Sequence, residues 1–294
     1  MKLLIPSLIL TACCSLAHAQ SFYIKFGGGY AFPSAATPIG ENSSQTYLKE
    51  TDPETGYYIP AIIRTKDEVN GSFNSGITSA LTLGYTFPSK MGLEVSLGYV
   101  HGRKYEATSE NYDMLDDAIL NYSRSTTTHY SRSSYVSPAL TLTVGDEKKL
   151  RPYLLAGIVI ATSKINSGTE GTSNYDGDAE NINSEEGYSG GFSLGLRGGV
   201  GLELRLRSKL ALFAEGGLTS MAYYPKEKEI SKYQRGNEDV LATMKMNMRR
   251  THYVKKSHRD SRSNQNASDR PGEALRVSFN MNNLSAQAGL KFYL

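Results

Sequence analysis

From Gly191 to Leu218, apolar and polar residues alternate with a period of two. Leu194, Leu196, Val200, Leu202, Leu204 and Leu206 share one parity, while Ser193, Gly195, Arg197, Gly199, Gly201, Glu203 and Arg205 share the other. After the polar break Arg207-Ser208-Lys209 the alternation resumes through Leu210, Leu212, Ala214, Gly216 and Leu218. Successive side chains of a β-strand point to opposite faces, so the pattern predicts a hairpin with one apolar and one polar face. About ten alternating residues per strand is the length that crosses a bilayer when the strand is tilted.

Six further segments repeat the pattern. Ser21 to Tyr30 carries Phe22, Ile24, Phe26 and Tyr30 on one face, and Phe73 to Phe87 carries Ile77, Leu81, Leu83, Tyr85 and Phe87. Met91 to His101 and Tyr130 to Val144 follow, then Leu150 to Ala161, whose Leu154, Leu155, Ile158, Val159 and Ile160 occupy both parities. The last runs from Leu275 to Leu294. Three connectors are short, near Pro88, Asp146 and Ser208. Four are long and polar: Phe32 to Gly71, Gly102 to His129, Lys164 to Gly187, and Ala222 to Glu273. Loops of that length are unusual in compact soluble domains. Their strict alternation with short turns predicts an all-β chain. The expected architecture is an eight-stranded antiparallel up-and-down transmembrane β-barrel with short periplasmic turns and four long extracellular loops. Tyr57 to Ile63 and part of the fourth loop are candidates for hairpins above the membrane.

The N-terminus supports export. Met1-Lys2, the apolar run Leu3 to Ala12 and Ala17-His18-Ala19 read as a secretory signal peptide over residues 1–19, leaving 20–294 as one barrel domain. Leu10-Thr11-Ala12-Cys13 offers a competing lipoprotein signal that would leave a lipidated Cys13. Both cysteines, Cys13 and Cys14, fall in this segment, so no disulfide or thiolate metal site is expected beyond it. After Gln20 no apolar run is long enough for a membrane-spanning helix. The 20 Tyr suit aromatic belts at membrane interfaces, although the chain has no Trp, and a net charge of +3 gives no argument for nucleic acid.

The strands resemble the bacterial outer-membrane β-barrel family that includes the OmpA transmembrane domain, opacity proteins and the OmpW group. The matching residues are Phe22-Tyr23-Ile24-Lys25-Phe26-Gly27-Gly28-Gly29-Tyr30, Leu150-Arg151-Pro152-Tyr153-Leu154-Leu155-Ala156-Gly157, the hairpin above, and the closing Gly289-Leu290-Lys291-Phe292-Tyr293-Leu294. The resemblance implies an integral outer-membrane location. It also implies recognition by barrel assembly machinery through the C-terminal strand, although this chain ends in Leu294 rather than Phe. The four long loops match nothing in the family.

The parity opposite the apolar one predicts the lumen. It gathers Lys25, Glu94, Arg197, Glu203, Arg205, Glu215, Gln287 and Lys291. An eight-stranded barrel has just enough interior to be filled by side chains, and buried charges there must pair. A plugged, salt-bridged lumen is therefore expected, with a narrow path for ions or small solutes as the alternative.

Loop chemistry is sparser. His101, His129, His252 and His258 show no paired-ligand spacing. His101 and His129 flank the second loop with Asp113, Asp116 and Asp117 between them, a minor candidate for a barrel-rim hydrolase. Asn174, Asp176, Asp178 and Glu180 alternate as in a calcium loop but lack the full pattern. The fourth loop is basic, with Lys245, Arg249, Arg250, Lys255, Lys256, Arg259 and Arg262, and interleaves Met244, Met246, Met248 and Tyr253. This predicts contact with anions such as lipopolysaccharide phosphates or an acidic partner surface. The leading expectation is a non-enzymatic barrel embedded in outer-membrane lipid. Its loops serve adhesion or binding of a host or cell-surface ligand, with no cofactor, no metal and no nucleic acid.

Overall fold

The computed structural model describes residues 21–34, 37–115, 118–145, 149–175, 178–256 and 269–294. Residues 1–19, expected above to be a signal peptide, lie outside them. Seventeen strands form one sheet. In chain order they are β1 (Ser21–Pro33), β2 (Thr37–Thr51), β3 (Tyr58–Gly71), β4 (Gly76–Thr86), β5 (Met91–Gly102), β6 (Tyr105–Leu115), β7 (Ala118–Thr143), β8 (Leu150–Tyr175) and β9 (Asp178–Ser189). Then come β10 (Ser193–Arg207), β11 (Leu210–Tyr223), β12 (Glu227–Arg235), β13 (Glu238–Asp239), β14 (Arg250–Val254), β15 (Gly272–Leu275), β16 (Phe279–Asn280) and β17 (Asn283–Tyr293).

Eight of these close on themselves. β1 pairs with β4, and the ring continues through β5, β7, β8, β10 and β11 to β17, which pairs back to β1, every step antiparallel. This is the arrangement of a β-barrel. Closure leaves no unpaired N–H or C=O along a ring edge. No helix among the described residues is long and apolar enough to cross a membrane.

The expectation of eight strands is corrected: the described residues carry seventeen. The segments read as loops carry strands of their own, because their Thr, Ser, Tyr and Asn pair on a surface polar on both faces and so show no hydrophobic period. β7 and β8 run 26 residues each, well past the ring. Their upper halves pair with β6 and β9. β2, packed parallel to β6, and β3 extend the wall on one side; β12, β14 and β15 extend it on the other. Polar cross-strand contacts stitch this wall, among them Ser43 with Ser109 (3.0 Å) and Thr127 with Thr169 (3.0 Å).

Around the ring the alternation has a consistent sense. Leu83, Leu97, Leu140, Leu154, Leu196, Val200, Leu218 and Leu284 point outward and are exposed, while Thr82, Ser96, Ala139, Leu155, Glu203 and Lys291 point inward and are buried. The mixed parity of the fifth predicted strand has a cause here: Leu154, Ile158 and Ile160 lie outside, but Leu155 and Val159 are buried inside. Inward glycines take part in this packing. A Cβ on Gly84 would overlap the Tyr23 ring, and one on Gly201 would overlap the Tyr153 ring. The room they leave is filled by aromatic rings lying against the wall.

Candidate functional site

The lower lumen holds a continuous network of charges and phenols. Lys25 Nζ lies 2.9 Å from Glu94 Oε1 and also pairs with Glu215, so one ammonium serves carboxylates from β5 and β11. Glu94 accepts a hydrogen bond from Tyr23 Oη (2.6 Å), and Glu215 accepts one from Tyr153 Oη (2.6 Å). Arg197 Nη2 reaches Glu215 Oε2 at 3.4 Å, and Gln287 Nε2 donates to the same oxygen. Towards the end of the ring that holds Ser21, Glu203 takes Lys291 Nζ at 2.7 Å, Arg205 Nε at 3.4 Å and the Tyr293 hydroxyl. The two groups meet at Tyr23, whose ring centroid lies 3.7 Å from Lys291 Nζ. Lys25 and Glu94 side chains are each 3 % exposed.

All seven charged residues read from the alternation thus lie in one chain of contacts. Arg205 stands apart by exposure, its side chain being 30 % accessible at the mouth. Sequence reasoning passed over Tyr23, Tyr153 and Tyr293, treating tyrosine as an interface residue. Their signal was present, since Tyr23 shares the parity of Lys25, and Tyr293 that of Lys291.

Above the charges the interior turns apolar. Phe73, Val159, Ala161, Ile165, Met221, Tyr223 and Met281 form one buried cluster, with Ile39, Tyr135, Tyr188 and Phe279 packed against it. Its core comes from short segments that turn inward. Ser72 to Ser75, between β3 and β4, is buried throughout. It is held by Phe73 N donating to Asn280 O (3.0 Å), Arg103 N donating to Ser75 O (2.7 Å) and Ser131 Oγ donating to Phe73 O. Met281 enters from the segment before β17 and donates its N–H to Met221 O (3.1 Å). The ring is therefore closed twice, by charges below and by an apolar cap above. The cap was not legible in the alternation, because Phe73 and Met281 belong to connectors.

Over the cap, the inner face of the wall brings His129, Ser167 and Glu186 into one row: His129 stands opposite Ser167, and Ser167 opposite Glu186. Burial lowers the His129 pKa, with Glu186 opposing the shift. Glu186 accepts the Tyr188 hydroxyl (2.7 Å) and pairs with Lys228 (2.7 Å). Burial, then the bond to Glu186, pushes the Tyr188 phenol upward. His101 does not join them. It is exposed on the outer face, opposite Arg132, while His129 edges the Phe73 ring inside.

The remaining candidates are dispersed. In the fourth connector Arg249 and Arg250 both pair with Glu229, at 3.8 and 2.9 Å. Lys245 precedes a one-turn helix, and Lys255 and Lys256 follow β14. Arg259, Arg262 and His258 lie outside the described residues, as do Asp116, Asp117 and Asp176. Glu180 is bound by Arg235 at 2.7 Å, and Asp113 lies 3.4 Å from Lys49.

The described residues thus define a closed antiparallel β-ring with a filled interior and a polar wall rising from one end. No family profile matches the chain, and no curated protein matches it. Among solved structures it is similar to the crystal structure of the outer membrane protease OmpT from Escherichia coli. That match covers 93 % of this chain and 97 % of that one, with a TM-score of 0.35 and 9 % identity. This finding corrects the expectation of a non-enzymatic chain, since the structure matched is that of a protease. The narrower grouping with the OmpA transmembrane domain, opacity proteins and OmpW is not assigned by any of these comparisons.

Replacing Lys25 with Met should leave Glu94 and Glu215 facing each other without their shared cation. The expected cost is about 3–5 kcal/mol, read from urea unfolding in detergent. An unchanged midpoint would show that the network does not hold the ring.

Proposed function

We propose that this chain is an integral outer-membrane β-barrel with a closed lumen, whose working part is the polar strand wall displayed above the membrane for binding. The observation that supports this best is the reversal of the usual burial pattern. Leucine, isoleucine, valine and phenylalanine encircle the outside of a closed ring, while lysine and glutamate are buried within it. In water such a belt would be a large exposed apolar patch, and in a bilayer it is the matched surface. A closed ring also satisfies the backbone bonding that lipid demands. The export signal read from the N-terminus and assembly through the C-terminal strand accord with this reading. Lys245, Lys255 and Lys256 remain available for an anionic partner surface.

The filled interior argues for a barrel that does not conduct. The network below and the Phe73–Met281 cluster above would both have to rearrange before a solute passed. In planar bilayers the full chain should insert without stable nanosiemens-scale openings, and a reproducible open level would overturn the closed reading. On the outside, Val200→Arg should destabilise the barrel in lipid by about 2–4 kcal/mol, the cost of a cation near the bilayer midplane. A neutral effect would place that face away from lipid.

The row above the cap favours a second reading, hydrolytic chemistry in the upper chamber. Directly opposed residues on neighbouring strands hold their Cβ atoms about 4.5–5.5 Å apart, a gap that a rotamer change of His129 would span to bring its imidazole to the Ser167 hydroxyl. A neutral imidazole can take the serine proton as that oxygen attacks a carbonyl, and return it to the leaving group. Ser167→Ala and His129→Gln should each abolish hydrolysis of a nitrophenyl ester by the purified chain. Rates equal to wild type would end this reading.

A further inference from the structure

On the outer face of β5, β7 and β8, the strand register sorts side chains into rows of rising polarity. Leu97, Val136 and Ile160 lie directly opposite one another, and Leu194 on β10 continues their row. One step higher come Tyr99, Ser134 and Thr162, and one step higher again His101, Arg132 and Lys164. All three residues of the last row are exposed, and their neighbours Val100, Ser131, Ser133 and Ser163 are buried inward, so the row points away from the ring. A step of two residues along a strand tilted by about 40° raises the position by about 5 Å. The order is therefore apolar, then hydroxyl, then basic, over a height comparable with the headgroup layer of a bilayer leaflet.

The two cations of this row, Arg132 and Lys164, are uncompensated among the described residues. Like charges directly opposite on neighbouring strands repel, yet Arg132 stands opposite Lys164. Among the described residues neither Arg132 nor Lys164 forms an ion pair, and the one attractive contact of Arg132 is with the Tyr130 ring, at 5.9 Å. The next outward carboxylate above the row is Glu106, opposite Thr128. Glu227, beyond Lys164, is engaged by Ser189 Oγ at 3.1 Å. A phosphate between Arg132 and Lys164 would convert this repulsion into two charge-assisted hydrogen bonds.

We propose that His101, Arg132 and Lys164 form a binding site for the phosphate of an anionic lipid headgroup in the outer-facing leaflet. The site rests on the membrane-spanning reading above and adds to it a defined lipid contact. It is distinct from the basic residues of the fourth connector, Lys245 to Lys256, which follow β12. Arg132 supplies a planar fork suited to a phosphate, and Lys164 a point charge beside it. Tyr99, Ser134 and Thr162 lie one step below, where the ester or sugar groups of such a lipid would sit.

The test uses the full chain in vesicles of phosphatidylcholine alone and in vesicles that also contain phosphatidic acid, a phosphomonoester lipid. Insertion is followed by protection of the ring strands from protease, and stability by the urea midpoint from tyrosine fluorescence. The wild type should unfold at higher urea in the phosphatidic acid vesicles. In the Arg132→Gln/Lys164→Gln variant most of that shift should be lost, whereas Arg132→Lys/Lys164→Arg should keep it. Insertion in both vesicles with the same shift in wild type and Gln variant, or with no shift in the wild type, would overturn this inference alone. An equal shift from inorganic phosphate in phosphatidylcholine vesicles would overturn the lipid as its source. Failure to insert in either vesicle would overturn the membrane-spanning reading and this inference with it.

Discussion

A ring of eight strands has little space inside, and every polar group taken into that space has lost water. Lys25 is the point at which the constraint is sharpest. Its ammonium is almost wholly buried, and it is tolerable there because Glu94 and Glu215 approach it from strands on either side. Those carboxylates in turn need the hydroxyls of Tyr23 and Tyr153 and the guanidinium of Arg197. Each member satisfies another, so removing one leaves the rest unmatched in a medium where an unpaired charge is costly. The ring's geometry and the network's chemistry are in this sense one requirement, since β1, β5, β8, β10, β11 and β17 must all be in register for the contacts to exist.

The same narrowness explains the apolar cap. Where the interior continues above Arg197, further charges are replaced by Phe73, Met221, Met281 and Val159. Two inturned segments supply Phe73 and Met281, and their backbone groups are satisfied by bonds to Ser131, Asn280, Arg103 and Met221. The lower strands and the upper wall therefore do not communicate through open space. The wall is a separate polar surface built on the continuations of β7 and β8, and its stability derives from cross-strand pairs of Ser, Thr, Asn and ion pairs such as Lys228–Glu186.

Much of the site was readable from parity, and the limits of that reading have physical causes. Lys25, Glu94, Arg197, Glu203, Arg205, Glu215 and Lys291 were found because alternate residues of a strand must face one way, and a closed ring sends that face inward. Tyr23, Tyr153 and Tyr293 obey the same rule, but tyrosine is amphipathic and fits an interface as well as a lumen, so parity alone does not assign them. Leu155 and Val159 blurred the fifth strand's pattern because both are apolar residues buried on the inner face, Val159 within the cap. His101 and His129 looked like neighbours across a loop, yet they belong to opposite faces of the wall.

The amino-acid sequence alone determined the two-faced strands, their order and the charges assigned to the interior. These follow from a period of two that no tertiary contact can alter. Only the tertiary structure decided which carboxylate meets which cation, how the interior is sealed above them, and that polar segments with no hydrophobic period form a strand wall. It also decided that His101, Arg132 and Lys164 stand in one row, and that His129, Ser167 and Glu186 stand in another. Register between strands distant in sequence sets these meetings. A local pattern fixes the face a residue occupies but not the residue it finds across the strand gap.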